Sequence, residues 1–183
     1  TRERRVVTKI KLDYPVLSQA HEVWMVRPGA DYRLAKAFRD ASAIGPDIPL
    51  LHVPDGTKAS SSPTLDQQVR RGREWRDWEK GGGRPEKMPS KSLGDYQFDI
   101  DDGISHARLR NVAVQIFDNI PDGSLIFVPG SSLSDDALLG VVGKSNAPRV
   151  PIIRRWGDGK ELQFLGRSLL NPMKVQMRLL PAE

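Results

Sequence analysis

The chain contains no cysteine in its 183 residues. That excludes a disulfide scaffold, a zinc–thiolate site, an iron–sulfur cluster and a cysteine nucleophile. Histidine is nearly as scarce. His21, His52 and His106 stand far apart and lack the spacing of metal ligands. No apolar run approaches the roughly 18 residues of a membrane-spanning helix. Thr1-Arg2-Glu3-Arg4-Arg5 leads into no apolar stretch of the kind a signal peptide needs. A phosphate-binding glycine loop is missing as well, because Gly81-Gly82-Gly83 runs into Arg84-Pro85 and not into a helix opening with Lys-Ser or Lys-Thr. Aromatic residues make up 7% and hydrophobic residues 38%, so part of the chain is expected to be solvated. No cofactor, metal or membrane partner is expected, and a cytoplasmic location is.

Charge is plentiful and uneven. The net charge is +5, and residues 70–91 hold eight cations against four acids, which is +4 of that excess. Such a block permits a polyanionic partner. The stretch 54–103 also carries Ser60-Ser61-Ser62 and the triple glycine. It reads as a polar, mobile insertion with one short helix over 64–80, opened by Thr64. The apolar residues of that helix, Leu65, Val69, Trp75 and Trp78, form no clean stripe, and the insertion is expected to be dispensable for the fold. Residues 1–20 read as an extension containing a strand-like alternation over 6–12, and 21–183 as one domain.

Elsewhere the periodicities are sharper. A strand is expected over 22–27, and a helix over 31–41 with Asp31 at its N-terminus. A short buried strand at 42–45 and an apolar piece at 50–53 follow. The clearest helix spans 104–120, with Leu109, Val112, Ala113, Ile116, Phe117 and Ile120 on one stripe, and Asp99, Asp101 and Asp102 are placed to cap it. Strands are expected over 124–128, 137–143, 150–156, 161–165 and 175–180, with a helical turn at 167–170. Together these predict an α+β fold: a mixed β-barrel of about six strands closed as a meander, with two main flanking helices.

Two blocks carry a resemblance. Val23-Trp24-Met25-Val26-Arg27-Pro28-Gly29, a helix and Ala43-Ile44-Gly45 form the first. The helix from Ala107, then Asp122-Gly123-Ser124-Leu125-Ile126-Phe127-Val128 and Leu138-Leu139-Gly140-Val141-Val142, form the second. In this order they resemble the N-terminal domain of Mrr-like restriction-system proteins, within the PUA-like group that includes EVE, YTH, ASCH and SRA domains. The resemblance covers about 22–53 and 104–180. It implies a barrel that binds RNA or DNA, in several members by holding one modified base in an aromatic pocket, as the specificity part of a bacterial defence or restriction system. The chain departs from the pattern at Pro46, where the family often has a Trp.

Trp24 and Trp156 are the base-binding candidates, as strand aromatics near Arg27, Arg154 and Arg155. Either ring could instead serve as a core or rim aromatic. Arg27, Arg154, Arg155, Arg73 and Arg76 are the phosphate-binding candidates. The Trp75 and Trp78 pair could follow a nucleic-acid strand, or anchor a partner protein such as an effector nuclease of the same system. His106 is expected at the surface or as a cap. Asp158 and Lys160 could belong to a metal-dependent nuclease, but their glycine-flanked setting reads as a hairpin. Ser131-Ser132-Leu133-Ser134-Asp135 has hydroxyls without a placed base. The leading expectation is therefore a non-catalytic nucleic-acid-binding module, with a protein-interaction module and a metal-dependent nuclease as the alternatives.

Overall fold

The computed structural model describes residues 22–97, 103–131 and 136–176. The expected strand at 6–12, His21, the capping aspartates 99, 101 and 102, most of the serine cluster and the end of the last strand lie outside the described residues. Six strands form a curled half-barrel sheet: β1 (Val23–Met25), β2 (Ala43–Ile44), β3 (Leu125–Val128), β4 (Asp136–Val142), β5 (Val150–Trp156) and β6 (Lys160–Gln176). Three helices join them: α1 (Ala35–Ala41), α2 (Leu65–Lys80) and α3 (Gly103–Val114). The strand order is β1-β3-β4-β6-β2, and β5 also pairs with β6. Among the described residues, no helix is long and apolar enough to cross a membrane.

The sheet departs from a simple antiparallel meander at one edge. β1 pairs in parallel with β3, Trp24 opposite Ile126, because the chain crosses over through α1, β2, α2 and α3 between them. β6 is a single strand, not the expected strand, helical turn and strand. Its first part pairs with β5, its centre with β2 and its end with β4. Gly166, Asn171 and Pro172 hide this length in the sequence by breaking the alternation. The register against β4 slips between Leu139 and Val141, opposite Asn171 in a left-handed conformation at φ 48°. That is a bulge, the position in a sheet where a proline is tolerated. At the bend, β2 crosses close over β6: a Cβ on Gly45 would lie 2.2 Å from the Leu165 carbonyl oxygen.

The helix expected at 31–41 starts later. Asp31 does not cap it; it sits in a separate 3-10 turn, Ala30–Tyr32, with φ 52°, and α1 opens after Leu34. The helix expected over 104–120 is α3 followed by a π-helical turn, Gln115–Asn119. The expected stripe is buried only in part. Ala113, Ile116, Phe117 and Ile120 are buried, while Val112 is exposed. The buried Arg167 side chain seals this turn to the sheet. It donates to the carbonyls of Ile116 (3.0 Å), Ile120 (2.8 Å) and Gly143 (2.7 Å), and pairs with Asp122 (2.8 Å). Burial lowers the pKa of its guanidinium, against the opposing pull of Asp122.

The largest correction concerns 54–103. Its helix α2 is a wall of the core and not a solvated appendage. Leu65, Gln68, Val69, Gly72, Trp75 and Glu79 are buried, at the i, i+3, i+4, i+7 spacing of one helical face. The face was hidden because half its positions are glutamine, glycine and glutamate. Each has a local reason. Gln68 receives the His52 N–H (2.6 Å) and donates to the His52 carbonyl (3.1 Å). Arg71 donates to the Leu50 carbonyl (2.6 Å). Part of the backbone of segment 50–53 is therefore satisfied by α2 side chains, while the Leu50 N–H donates to the Gln163 carbonyl of β6 at 2.9 Å. Thr64 does not cap the helix; its hydroxyl accepts from the Gln68 amide (3.1 Å).

Gly72 lets α2 approach, since a Cβ there would lie 2.5 Å from Ile48 Cγ2 and 3.2 Å from the Pro49 carbonyl oxygen. Alanine is the better helix former by about 1 kcal/mol, yet Gly72→Ala is expected to lower the unfolding midpoint because α2 must shift. A raised midpoint in thermal denaturation would contradict this packing. Replacing 54–103 with a short Gly/Ser linker is expected to abolish cooperative unfolding, because Leu65, Val69 and Trp75 leave the core with it.

Candidate functional site

Two structural features meet on α2. The first is a buried ion network. Arg33 grips Asp47 with its Nε (3.0 and 3.1 Å to the two oxygens) and a terminal nitrogen (2.6 Å), and its other terminal nitrogen pairs with Glu79. Arg154 pairs with the second oxygen of Glu79 and donates to the Arg33 carbonyl at 2.7 Å. Two guanidiniums face two carboxylates, so the cluster is neutral. Burial alone would lower the pKa of Arg33, but the hydrogen bond and charge of Asp47, with the charge of Glu79, outweigh it and raise the pKa. Arg154 was a phosphate candidate; its side chain is largely engaged inside the protein. Arg155 is exposed and faces Glu161 at 3.4 Å. Both border a small hollow of about 120 Å³ beside Lys36 and Asp40.

The second feature is a cavity of about 370 Å³ between the 27–30 turn, α2 and α3. Arg27, Arg76 and Arg108 line it, together with Ser105, Gly29 and the apolar Leu109 and Val112. Asp47 also borders it, but Arg33 already holds that carboxylate. The Arg76 side chain is only 14% exposed, lies 3.8 Å from Asp77, and its Nε makes no hydrogen bond. The exposed Arg27 stacks over Tyr32 at 5.3 Å. Three arginines thus line a hollow whose own acid, Asp47, is already paired, and such a wall favours an anion.

α3 is brought to this cavity by its packing on α2. His106 lies buried against Asp66 (Nε2 to Oδ1, 2.9 Å), and Arg110 reaches the same oxygen at 3.1 Å. The expectation of a surface or capping His106 is thereby corrected: the residue sits at a helix–helix contact. Of the arginines expected to bind phosphate, the fold brings Arg27 and Arg76 together. Arg73 is half-buried on α2 and is not a wall of the cavity. Arg108 was missed, although its position off the apolar stripe of α3 was visible; what the sequence lacked was any sign that α3 packs on α2.

The two tryptophans do not meet. Trp24 is half-buried on the edge strand β1, with its Nε1 donating to Glu22 at 3.1 Å. Trp156 ends β5 and packs edge-on against Trp78, with ring centroids 6.0 Å apart. Strands β3, β4 and β6 separate β1 from β5. Neither ring is a wall of the arginine cavity. Asp158 sits in the β5–β6 hairpin between Gly157 and Gly159, as expected, and Lys160 donates to the Gly82 carbonyl at 2.9 Å. Among the described residues, no group of three or more His, Asp or Glu is placed to hold a metal.

Removing one member of the ion network leaves the others buried and uncompensated. Glu79→Ala is expected to cost about 3–5 kcal/mol of stability in denaturant unfolding, far more than Lys36→Ala, whose exposed pair with Asp40 contributes about 0–1 kcal/mol. Equal effects would show that the cluster is not the brace described here. Comparison of the chain with protein-family models, with curated proteins and with solved structures finds no match.

Proposed function

We propose that this chain is a non-catalytic nucleic-acid-binding module that captures backbone phosphates at Arg27, Arg76 and Arg108. The observation that supports this most is that those three arginines line one cavity whose own acid, Asp47, is already paired. Arginine suits the task because its planar fork meets a phosphate with two parallel hydrogen bonds. Ser105 adds a hydroxyl to the wall. The apolar wall of Leu109 and Val112 suits a sugar or base edge next to the phosphate. Together with the resemblance to base-reading barrels, the reading extends to DNA or RNA as partner and to a role as the specificity part of a cytoplasmic defence system, with an effector nuclease as the natural companion.

The test is a salt titration with labelled single- and double-stranded DNA and RNA. Three phosphate contacts predict that log K falls against log salt with a slope of about −2 to −3. Arg108→Ala and Arg76→Ala are each expected to weaken binding to all sequences and to flatten the slope by about one contact. Association that ignores salt and survives loss of all three arginines would overturn the reading and point to a protein partner. No cleavage is expected when Mg²⁺ or Mn²⁺ is added; turnover that disappears in Asp158→Ala would instead establish a nuclease.

A further inference from the structure

We propose that Trp78 is a stacking platform for an unstacked base, forming a second nucleic-acid contact on the face of α2 away from the arginine cavity. Position on the helix comes first. Arg76 and Trp78 are two residues apart, about 200° around a helix of 3.6 residues per turn, so they serve opposite sides of α2. On its side, Trp78 lies between two cavities. One, of about 370 Å³, also has Trp75, Lys91 and Lys160 in its walls; the other, of about 540 Å³, has Arg84 and Lys87.

The chemistry of the rings narrows the ligand. Trp75 and Trp78 meet edge to face with centroids 5.3 Å apart, and Trp156 meets Trp78 in the same way at 6.0 Å. The ring N–H of Trp75 donates to the Ser90 carbonyl and that of Trp78 to the Arg84 carbonyl, both at 2.8 Å. The polar edges are therefore spent within the protein, and the rings are pinned. What half-buried Trp78 offers to the cavities is carbon surface, which rewards a flat π-system over a hydrogen-bonding group. Four cations stand around that surface against Glu74, Asp77 and Glu161, and Lys91 already lies 6.0 Å from the Trp75 ring centre. A planar ring carried on an anionic backbone fits both features. Double-stranded nucleic acid keeps its bases stacked, so the ligand class is a single strand. This inference rests on the nucleic-acid reading above, but it concerns different residues.

The experiment compares a short single-stranded oligonucleotide with an abasic strand of the same length, which keeps the phosphates and removes the bases. The intact strand is expected to bind about 5- to 150-fold more tightly. Trp78→Leu should erase most of that difference, while Trp78→Tyr should retain it, which separates stacking from bulk. Circular dichroism of both variants confirms that they fold. In parallel, adenosine at millimolar concentration should move the Trp78 indole N–H resonance, assigned by its loss in Trp78→Phe; this readout needs no phosphate and is independent of Arg27, Arg76 and Arg108. Equal affinity for intact and abasic strands in wild type and Trp78→Leu, or an unmoved indole resonance, overturns the platform and leaves the arginine cavity standing. Salt-independent binding of both strands, with a moving indole, overturns the cavity and leaves the platform.

Discussion

Glu79 is the residue on which the architecture turns. Its carboxylate is nearly enclosed, and it receives Arg33 through one oxygen and Arg154 through the other. Those arginines belong to the segment before α1 and to β5, and Arg33 also holds Asp47 in the segment after β2. One acid on α2 therefore fixes three otherwise separate parts of the chain. A buried charge is tolerated only when its partners satisfy it completely, so the helix must dock in one register. The same register places Gly72 on Ile48 and Gln68 on the His52 backbone. It also decides what the outward positions do: Arg76 turns into the arginine cavity, and Trp78 into the opposite pair of hollows.

Arg167 plays the corresponding part at the other end of the fold. Three carbonyl oxygens and one carboxylate converge on it. The end of the π-helical turn leaves the Ile116 and Ile120 carbonyls without helical partners, as any helix C-terminus does, and the buried guanidinium answers them. Arg149 stacks on Phe117 at 4.7 Å and donates to the Thr57 carbonyl, while Asp118 caps the backbone of Ala59 and Ser60. The π turn is thus held on both sides by polar side chains. The packing of α3 on α2 through His106 and Asp66 then brings Arg108 and Ser105 to the cavity.

Much of this was legible in the sequence wherever apolar residues alternate or recur at helical spacing. Strands β3, β4 and β5, the short β2, and the existence of α1, α2 and α3 all follow from such patterns. The patterns failed where a buried position is polar. The inner face of α2 contains Gln68, Gly72 and Glu79, and a search for apolar stripes sees only Leu65, Val69 and Trp75 in it. β6 was cut into three because Gly166, Asn171 and Pro172 interrupt it at the bend and the bulge. For the candidate site, Arg27 and Arg76 were recognised as basic residues, but their convergence with Arg108 depends on the α2–α3 contact through His106 and Asp66, a relation between residues 40 apart.

The basic composition deserves a different reading once the cations are placed. An excess of +5 suggests a surface coated in positive charge, yet several arginines are consumed inside the structure. Arg33 and Arg154 neutralise buried acids, and Arg71, Arg149 and Arg167 satisfy backbone carbonyls with guanidiniums whose pKa values burial lowers. These residues do structural work that a lysine, with one charged point and no planar fork, could not reproduce. Bulk charge is therefore a weak guide to binding in this protein. The informative cations are those that line a cavity and are not locked to a buried acid, and that criterion selects Arg27, Arg76 and Arg108 over Arg154, which Glu79 holds. It also explains why α2, the most charged segment of the chain, can be both a wall of the core and the element from which the proposed contacts are displayed.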